Sequence, residues 1–200
     1  MFYETEKNNH GLPHNPFKAI VAPRPIGWIS TLDGEGRANL APYSFFNCVC
    51  DRPPIVMFSS TGYKDSVANV DATGEFVCNM ASWDLKDEMN VSSAAVPHET
   101  SEFDLSGLDM APCRLVKAPR VAKAVTALEC KHLQTLHLKG LDGAETDSYM
   151  VMGQVVGVHI DDSVIVDGRV DVTRYKPLSR LGYMDYGVVT EVFQMARPKV

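Results

Sequence analysis

No apolar run in the 200 residues is long enough to cross a bilayer, and the N-terminus has no signal-peptide core. Both absences lead to the expectation of a cytoplasmic chain with no membrane partner. Positive charge is in short supply as well. Nineteen Lys and Arg face 25 Asp and Glu, a formal net charge of -6, and the basic residues are scattered. That excludes a general electrostatic affinity for nucleic acid or anionic membrane. The five cysteines, at 48, 50, 78, 113 and 130, have neither zinc-finger spacing nor a C-x-x-C pair. Their odd number argues against a closed disulfide framework, and three lie in apolar strand patterns, so buried free thiols are expected. There is no G-x-G-x-x-G or P-loop fingerprint, which disfavours a Rossmann dehydrogenase. Nor is there a nucleophile-base-orienter set, a pair of catalytic carboxylates, an internal repeat or a low-complexity tract.

The length suits one domain with a substantial core, here residues 19-200 behind an N-terminal arm, residues 1-18. The arm is polar and broken by Gly11, Pro13 and Pro16. His10 and His14 have the spacing of a helical metal pair, but Gly11 and Pro13 between them oppose the helix, so no metal site is expected.

The most informative stretch runs from Pro23 to Asp65. Ile26 to Leu32 is β-prone, Asp33-Gly34-Glu35-Gly36 tolerates positive φ, and Asn39 to Val49 reads as the return strand of a hairpin. Asp51-Arg52-Pro53-Pro54 ends that ladder, and Ile55 to Phe58 reads as a wholly buried third strand. It leads into Ser59-Ser60-Thr61-Gly62, then Lys64, Asp65 and Ser66 at a helix start. Two readings fit those groups. One is a phosphate cradle made of hydroxyls, a lysine and a helix N-terminus. The other is an ordinary capped turn.

These residues carry a resemblance. RPIGWIST, RANLAPYSFFN, PPIVMFSS followed by KDS, TGEFVCNMAS, GQVVGVHIDD and KPLSRLGYMDY run in order from Pro23 to Tyr186. Together they resemble the flavin reductase-like family, FMN-binding split-barrel flavoproteins, in its flavoprotein-oxygenase branch. The resemblance implies a mainly β fold, a six-stranded Greek-key barrel with a few short helices, and a homodimer. It implies FMN as cofactor, with Ser59, Ser60, Lys64 and Ser66 at the phosphate. Trp28, Ser30, Thr31, Asn39, Ala41, Pro42, Tyr43 and Ser44 would line the ribityl chain and the isoalloxazine edge. For Trp28, Tyr43 and Phe45, plain core packing is the competing reading. A bound flavin carries the redox chemistry itself, which accounts for the missing catalytic triad.

The resemblance implies an oxidoreductase, an NAD(P)H-dependent flavin reductase taking electrons from NADH or NADPH. It would pass them through bound or exchangeable FMN to a flavin, oxygen, a small-molecule substrate or a partner monooxygenase or redox protein. The alternative is a non-enzymatic FMN-binding electron-transfer protein. An enzyme of the pyridoxamine-phosphate-oxidase type is weaker, since basic ligands for a second phosphorylated substrate are not evident.

The remainder reads as support. Lys64 to Val70 is helical and stops near Gly74; Glu75 to Met80 is a strand; Ser82 caps a helix through Val91. Ser92 to Ala111 has no periodicity of its own and is either a lid over a ligand or a surface excursion. Pro112 to Val116 is β-like, Ala118 to Lys123 a turn of helix, and Ala124 to Leu138 and Tyr149 to Ile160 long strands. The two glycines of the last suit the bending of a small barrel. His132 and His137 fall on opposite faces. His159 is expected to bond Asp161 or Asp162, with a structural role favoured over a catalytic one. Arg24, between two prolines, either pairs with a surface carboxylate or contacts a ligand.

Overall fold

The computed structural model describes residues 1-198. Seven strands form the main sheet: β1 (Gly27–Leu32), β2 (Ala38–Tyr43), β3 (Phe46–Asp51), β4 (Pro54–Thr61), β5 (Glu75–Met80), β6 (Thr126–Lys139) and β7 (Glu145–Ile160). They pair antiparallel in the order β2-β1-β5-β6-β7-β4-β3. The two ends of that order, β2 and β3, are consecutive in the chain and separated only by Ser44 and Phe45. The single return strand expected from Asn39 to Val49 is therefore bent at Ser44-Phe45, and each half pairs with a different neighbour. Counted as one bent strand, it closes the six-stranded barrel that the resemblance implies. At the bend Ser59 N donates to Phe45 O at 2.8 Å. Closure gives nearly every strand a partner on both sides, which removes the free edges of an open sheet.

Alternation along the strands separates two cores. Ile29, Phe58, Phe76 and Val151 point inward and are fully buried. Trp28 and Leu40 point outward from the barrel wall, into a second cluster with Met89, Phe103 and Leu108. The latter residues come from α2 (Lys86–Val91), α3 (Glu102–Ser106) and the chain just after it. Strand β1 is thus covered on both faces. Each such large side chain contributes roughly 1.5 to 3 kcal/mol of burial free energy. Strand β4 departs from the wholly buried expectation: Val56 and Phe58 are buried while Ile55 and Met57 are only half so, because one face of this wall is not covered by helices.

The long β7 bends where its glycines lie, with register shifts between Met152 and Gly153 and between Val155 and Gly157. Gly153 has a second reason to be glycine. A Cβ there would stand 2.4 Å from the Phe76 ring, and one on Gly27 would stand 2.5 Å from Phe46.

Helix α1 (Asp65–Thr73) ends at Gly74, φ 75°, as its sequence suggests. Four other expectations change, the first being Pro112 to Val116, which forms no strand. Trp83–Leu85 is a 3-10 turn preceding α2, and Ser82 makes no side-chain cap. Its backbone pairs instead with Pro177. Within Ser92 to Ala111, residues 92-101 and 107-109 are irregular. Glu102–Ser106 forms α3, because Phe103 is fully buried and tertiary contact stabilises a helix too short to stand alone. Ala118 to Lys123 is not helical: Arg120–Val121 pairs as a strand with Met110–Ala111. All five thiols are free, but only Cys78 and Cys130 are buried, and Cys48 is exposed on β3. Among the described residues no helix is long and apolar enough to cross a membrane.

Gly153→Ala should lower stability by about 1 to 3 kcal/mol through overpacking against Phe76. The control Gly34→Ala, whose Cβ meets nothing within 4 Å, should leave the urea midpoint where it was.

Candidate functional site

Where β2 leaves the barrel it needs partners for its outer edge, and these build a cleft. Leu40 N donates to Glu102 Oε2 at 2.9 Å, and Ser101 Oγ donates to Ala38 O at 2.9 Å. Both bonds hold the α3 segment against the strand. Burial pushes the Glu102 carboxyl up in pKa, and the bond from Leu40 only partly opposes this. On the other side Asn39 Nδ2 donates to Ser66 Oγ at 2.9 Å, tying β2 to the start of α1. The cavity left between these elements measures about 470 Å³.

One wall is β2, through Asn39, Ala41, Pro42 and Tyr43; the floor is the α1 start, Lys64, Asp65 and Ser66. Opposite runs the irregular segment from Ser92 to Val96. It is anchored at both ends. Trp28 Nε1 donates to Ser92 Oγ at 2.8 Å, and that hydroxyl donates to Met89 O. At the far end His98 Nδ1 lies 2.9 Å from Asp65 Oδ1. Its Nε2 lies 3.0 Å from Arg37 Nη2 and 3.4 Å from Asp33 Oδ2.

The chemistry of the floor is that of an anion site. Lys64 is the extended N-cap residue of a nine-residue helix whose first N–H groups have no intrahelical acceptor. Among the described residues the Lys64 ammonium makes no ion pair, whereas the neighbouring Asp65 carboxylate is engaged by His98. Tyr43 is buried beneath. Burial raises its phenol pKa, against hydrogen bonds with Ser66 and Ser60.

The cavity thus gathers six of the residues expected from the sequence: Asn39, Ala41, Pro42, Tyr43, Lys64 and Ser66. Ser44 lines an adjoining cavity of about 330 Å³ that shares Pro42 and Ser93 with the first. Ser60 is buried behind Tyr43 and donates to Gly62 O at 2.9 Å. Ser59 is half-buried in β4. Trp28, Ser30 and Thr31 are fully buried with protein partners. Ser30 Oγ donates to Pro119 O at 2.6 Å, and Thr31 Oγ1 accepts from Asn69 Nδ2 at 3.0 Å. These three stand behind the cavity wall. Residues 93-96 were not foreseen individually; the only signal for them was the unpatterned length of their segment. A larger cavity, about 640 Å³ between Ser82 and Tyr175, contains none of the expected residues.

His159 does not bond Asp161 or Asp162. Asp161 accepts from Ser163 N instead, and His159 Nε2 lies 2.5 Å from Glu129 Oε1 on the neighbouring β6. Glu129 is buried and also accepts from the backbone N–H groups of Arg114, Leu115 and Val116. Cys113 lies beside it. Burial, with the Glu129 charge adding to it, pushes that thiol up to about 12, which makes it a poor nucleophile.

The site belongs to a barrel that encloses its own core and presents a donor-rich cleft on its flank, the arrangement of a cofactor-binding barrel. The chain belongs to the flavin reductase-like family: the model described as "Flavin reductase like domain" matches residues 21–179. An uncharacterized protein of Aquifex aeolicus (strain VF5) is 36% identical over 169 residues, covering 82% of this chain and 83% of the relative. Among solved structures, nitrilotriacetate monooxygenase component B from Bacillus cereus is similar, with a TM-score of 0.86 and 28% identity over 98% of both chains. Pseudomonas fluorescens 2-nitrobenzoate 2-nitroreductase is similar too, with a TM-score of 0.86 and 26% identity, covering 99% of this chain and 96% of that one. The family defines a flavin-related oxidoreductase on a split barrel.

Burial alone would raise the Glu129 pKa, but the Arg114 and Leu115 N–H groups and His159 outweigh it and hold the carboxylate below its usual range. A depressed folded-state pKa means that this stabilisation is complete above the unfolded value of about 4.3 and is lost as pH falls through the folded value. Acid unfolding monitored by circular dichroism should therefore be shallower in this range for Glu129→Gln, which should also be less stable at neutral pH.

Proposed function

We propose that the protein is an FMN-binding, NAD(P)H-dependent flavin reductase, and that the cleft between β2, the start of α1 and residues 92-96 is its FMN site. The observation carrying this reading is the convergence of Lys64, Ser66, Asn39 and the N-terminus of α1 at one end of a cavity whose walls are Ala41, Pro42, Ala94, Ala95 and Val96. A single terminal phosphate needs charge and donors, and a flat heteroaromatic ring needs apolar walls with backbone polar groups around it. The residues present fit both needs. Bound FMN would supply the hydride and electron transfer. The chain's own part is to neutralise the phosphate at Lys64, to engage the Asp65 carboxylate with His98, and to keep water from the ring with the 92-96 segment. Ser59 and Ser60, on the strand leading to this turn, do not line the cavity; their part is to hold the turn, Ser60 through its bond to Gly62 O. Trp28, Ser30 and Thr31 hold the wall in place, and Ser44 lines the adjoining cavity.

A partner monooxygenase as electron acceptor is supported by the likeness to the Bacillus cereus protein, a monooxygenase component. The homodimer is supported by apolar side chains left outside the barrel, Leu115, Val158 and Ile160, which are about half exposed at 56%, 59% and 42%. Light scattering should return the mass of two chains; a monomer that holds FMN tightly would count against it.

Titration should show FMN bound more tightly than riboflavin. Lys64→Ala should remove about 1 to 3 kcal/mol of FMN binding and leave riboflavin binding unchanged. Equal affinities for the two flavins would remove the phosphate from the assignment. Anaerobic mixing of the FMN-loaded protein with NADH or NADPH should bleach the flavin absorbance. If neither does, the protein is an electron-transfer flavoprotein reduced by another redox protein.

A further inference from the structure

The cavity adjoining the proposed flavin site has an unusual charge pattern. Its charged lining consists of Lys18, Arg24 and Arg180, with no carboxylate among the lining residues. Arg24 and Arg180 are direct cross-strand partners on the short strands Arg24–Pro25 and Leu178–Arg180. Like charges facing each other across an antiparallel pair repel. Arg24 is only 7% exposed, so water screens this repulsion weakly. Among the described residues neither arginine has a carboxylate partner to offset it. Arg24 donates to the carbonyls of Lys18 and Val21, and Arg180 donates to that of Tyr183. Carbonyls satisfy N–H groups but do not cancel charge. The Arg24 Nε is buried and has no hydrogen-bond partner among the described residues. In keeping with this, burial and then the Arg180 charge lower the Arg24 pKa.

Aromatic rings complete the arrangement. The Arg24 guanidinium lies 5.8 Å from the Phe45 ring centroid and Lys18 Nζ 6.0 Å from it, while Arg180 lies 4.4 Å over the Tyr186 ring. Such contacts hold cations in place but bring no negative charge. An anion would offset the three charges, and this cavity shares Pro42 and Ser93 with the proposed flavin cleft.

We propose that Lys18, Arg24 and Arg180 form a receptor for the anionic group, carboxylate or phosphate, of the second reactant that exchanges electrons with the flavin. The assignment to a reactant rests on the flavin reading of the neighbouring cavity; the anion site itself does not. The same chemistry has two sources, the diphosphate of a pyridine dinucleotide or the carboxylate of a small aromatic acid. Both can bring an anion to the arginines while a planar ring reaches toward the other cavity.

Calorimetric titration of the protein, with and without FMN, separates these cases. Benzoate, its neutral isostere benzamide, and ADP-ribose, which has the diphosphate but no nicotinamide, serve as probes. Benzoate or ADP-ribose should bind at least about tenfold more tightly than benzamide, and Arg180→Ala should weaken that binding by about tenfold or more, the value of one charge-assisted contact. Arg180 is half exposed, so its replacement disturbs the fold less than that of Arg24; Lys18→Ala, on the exposed side, should weaken binding in the same direction. FMN affinity should stay within about twofold in both variants, since the proposed phosphate contacts lie at Lys64 and Ser66. Tighter binding of ADP-ribose assigns the receptor to the dinucleotide, and tighter binding of benzoate to an aromatic acid. Failure of both to exceed benzamide, or binding indifferent to Arg180→Ala and Lys18→Ala, overturns the proposal. So does a loss of FMN binding in these variants, because the arginines would then hold the cofactor's own phosphate. Anion binding by protein that takes up no FMN supports the receptor while removing the flavin reading.

Discussion

The structure depends on the close approach of Phe46 to the backbone of Gly27. Strand β1 and the start of β3 must pass within a distance that admits no Cβ at residue 27. Only then can the chain bend at Ser44-Phe45 and deliver its second half to β4, and only then does the sheet close. Closure has two results. It encloses the core of Ile29, Phe58, Phe76 and Val151, and it leaves the outer edge of β2 to be satisfied by Glu102 and Ser101 instead of another strand. The candidate site is therefore a by-product of how the barrel ends. At this end of the ladder side chains stand in for a missing backbone partner, and the cleft forms there.

Much of this was legible in the residues. The hairpin around Asp33-Gly34-Glu35-Gly36, the stop at Gly74 and the bends of β7 follow from glycine and alternation, signals that act over a few residues. The split of Asn39 to Val49 was not legible, because its cause is Gly27, a residue twelve positions upstream of Asn39 whose lack of a side chain matters only once Phe46 lies over it. Helix α3 was missed for a related reason. Five residues have little helical preference of their own, and the burial of Phe103 decides the matter.

The site shows the same division. Lys64 and Ser66 were apparent as a helix start with anion-binding groups, whereas Asn39 through Tyr43 entered the site only through the family resemblance. The sequence could not tell which polar residues face the cavity and which stand behind it. Ser30, Thr31 and Ser66 are all small hydroxyls, yet two bond to Pro119 and Asn69 while the third reaches the cleft. Likewise, the partner of His159 is Glu129, thirty residues away in sequence and adjacent only because β6 pairs with β7.

The line of charges through His98 connects parts of the chain that otherwise share little: the β1-β2 hairpin through Asp33 and Arg37, the first turn of α1 through Asp65, and the wall segment on which His98 itself sits. Evolutionary substitution on one of these elements is then not independent of the others. A change of sign at Arg37 alters the field that His98 offers to Asp65, and with it the charge left facing the end of the cleft. Epistasis is the natural result, so that the residue tolerated at the exposed hairpin tip depends on which acid or amide occupies the helix start.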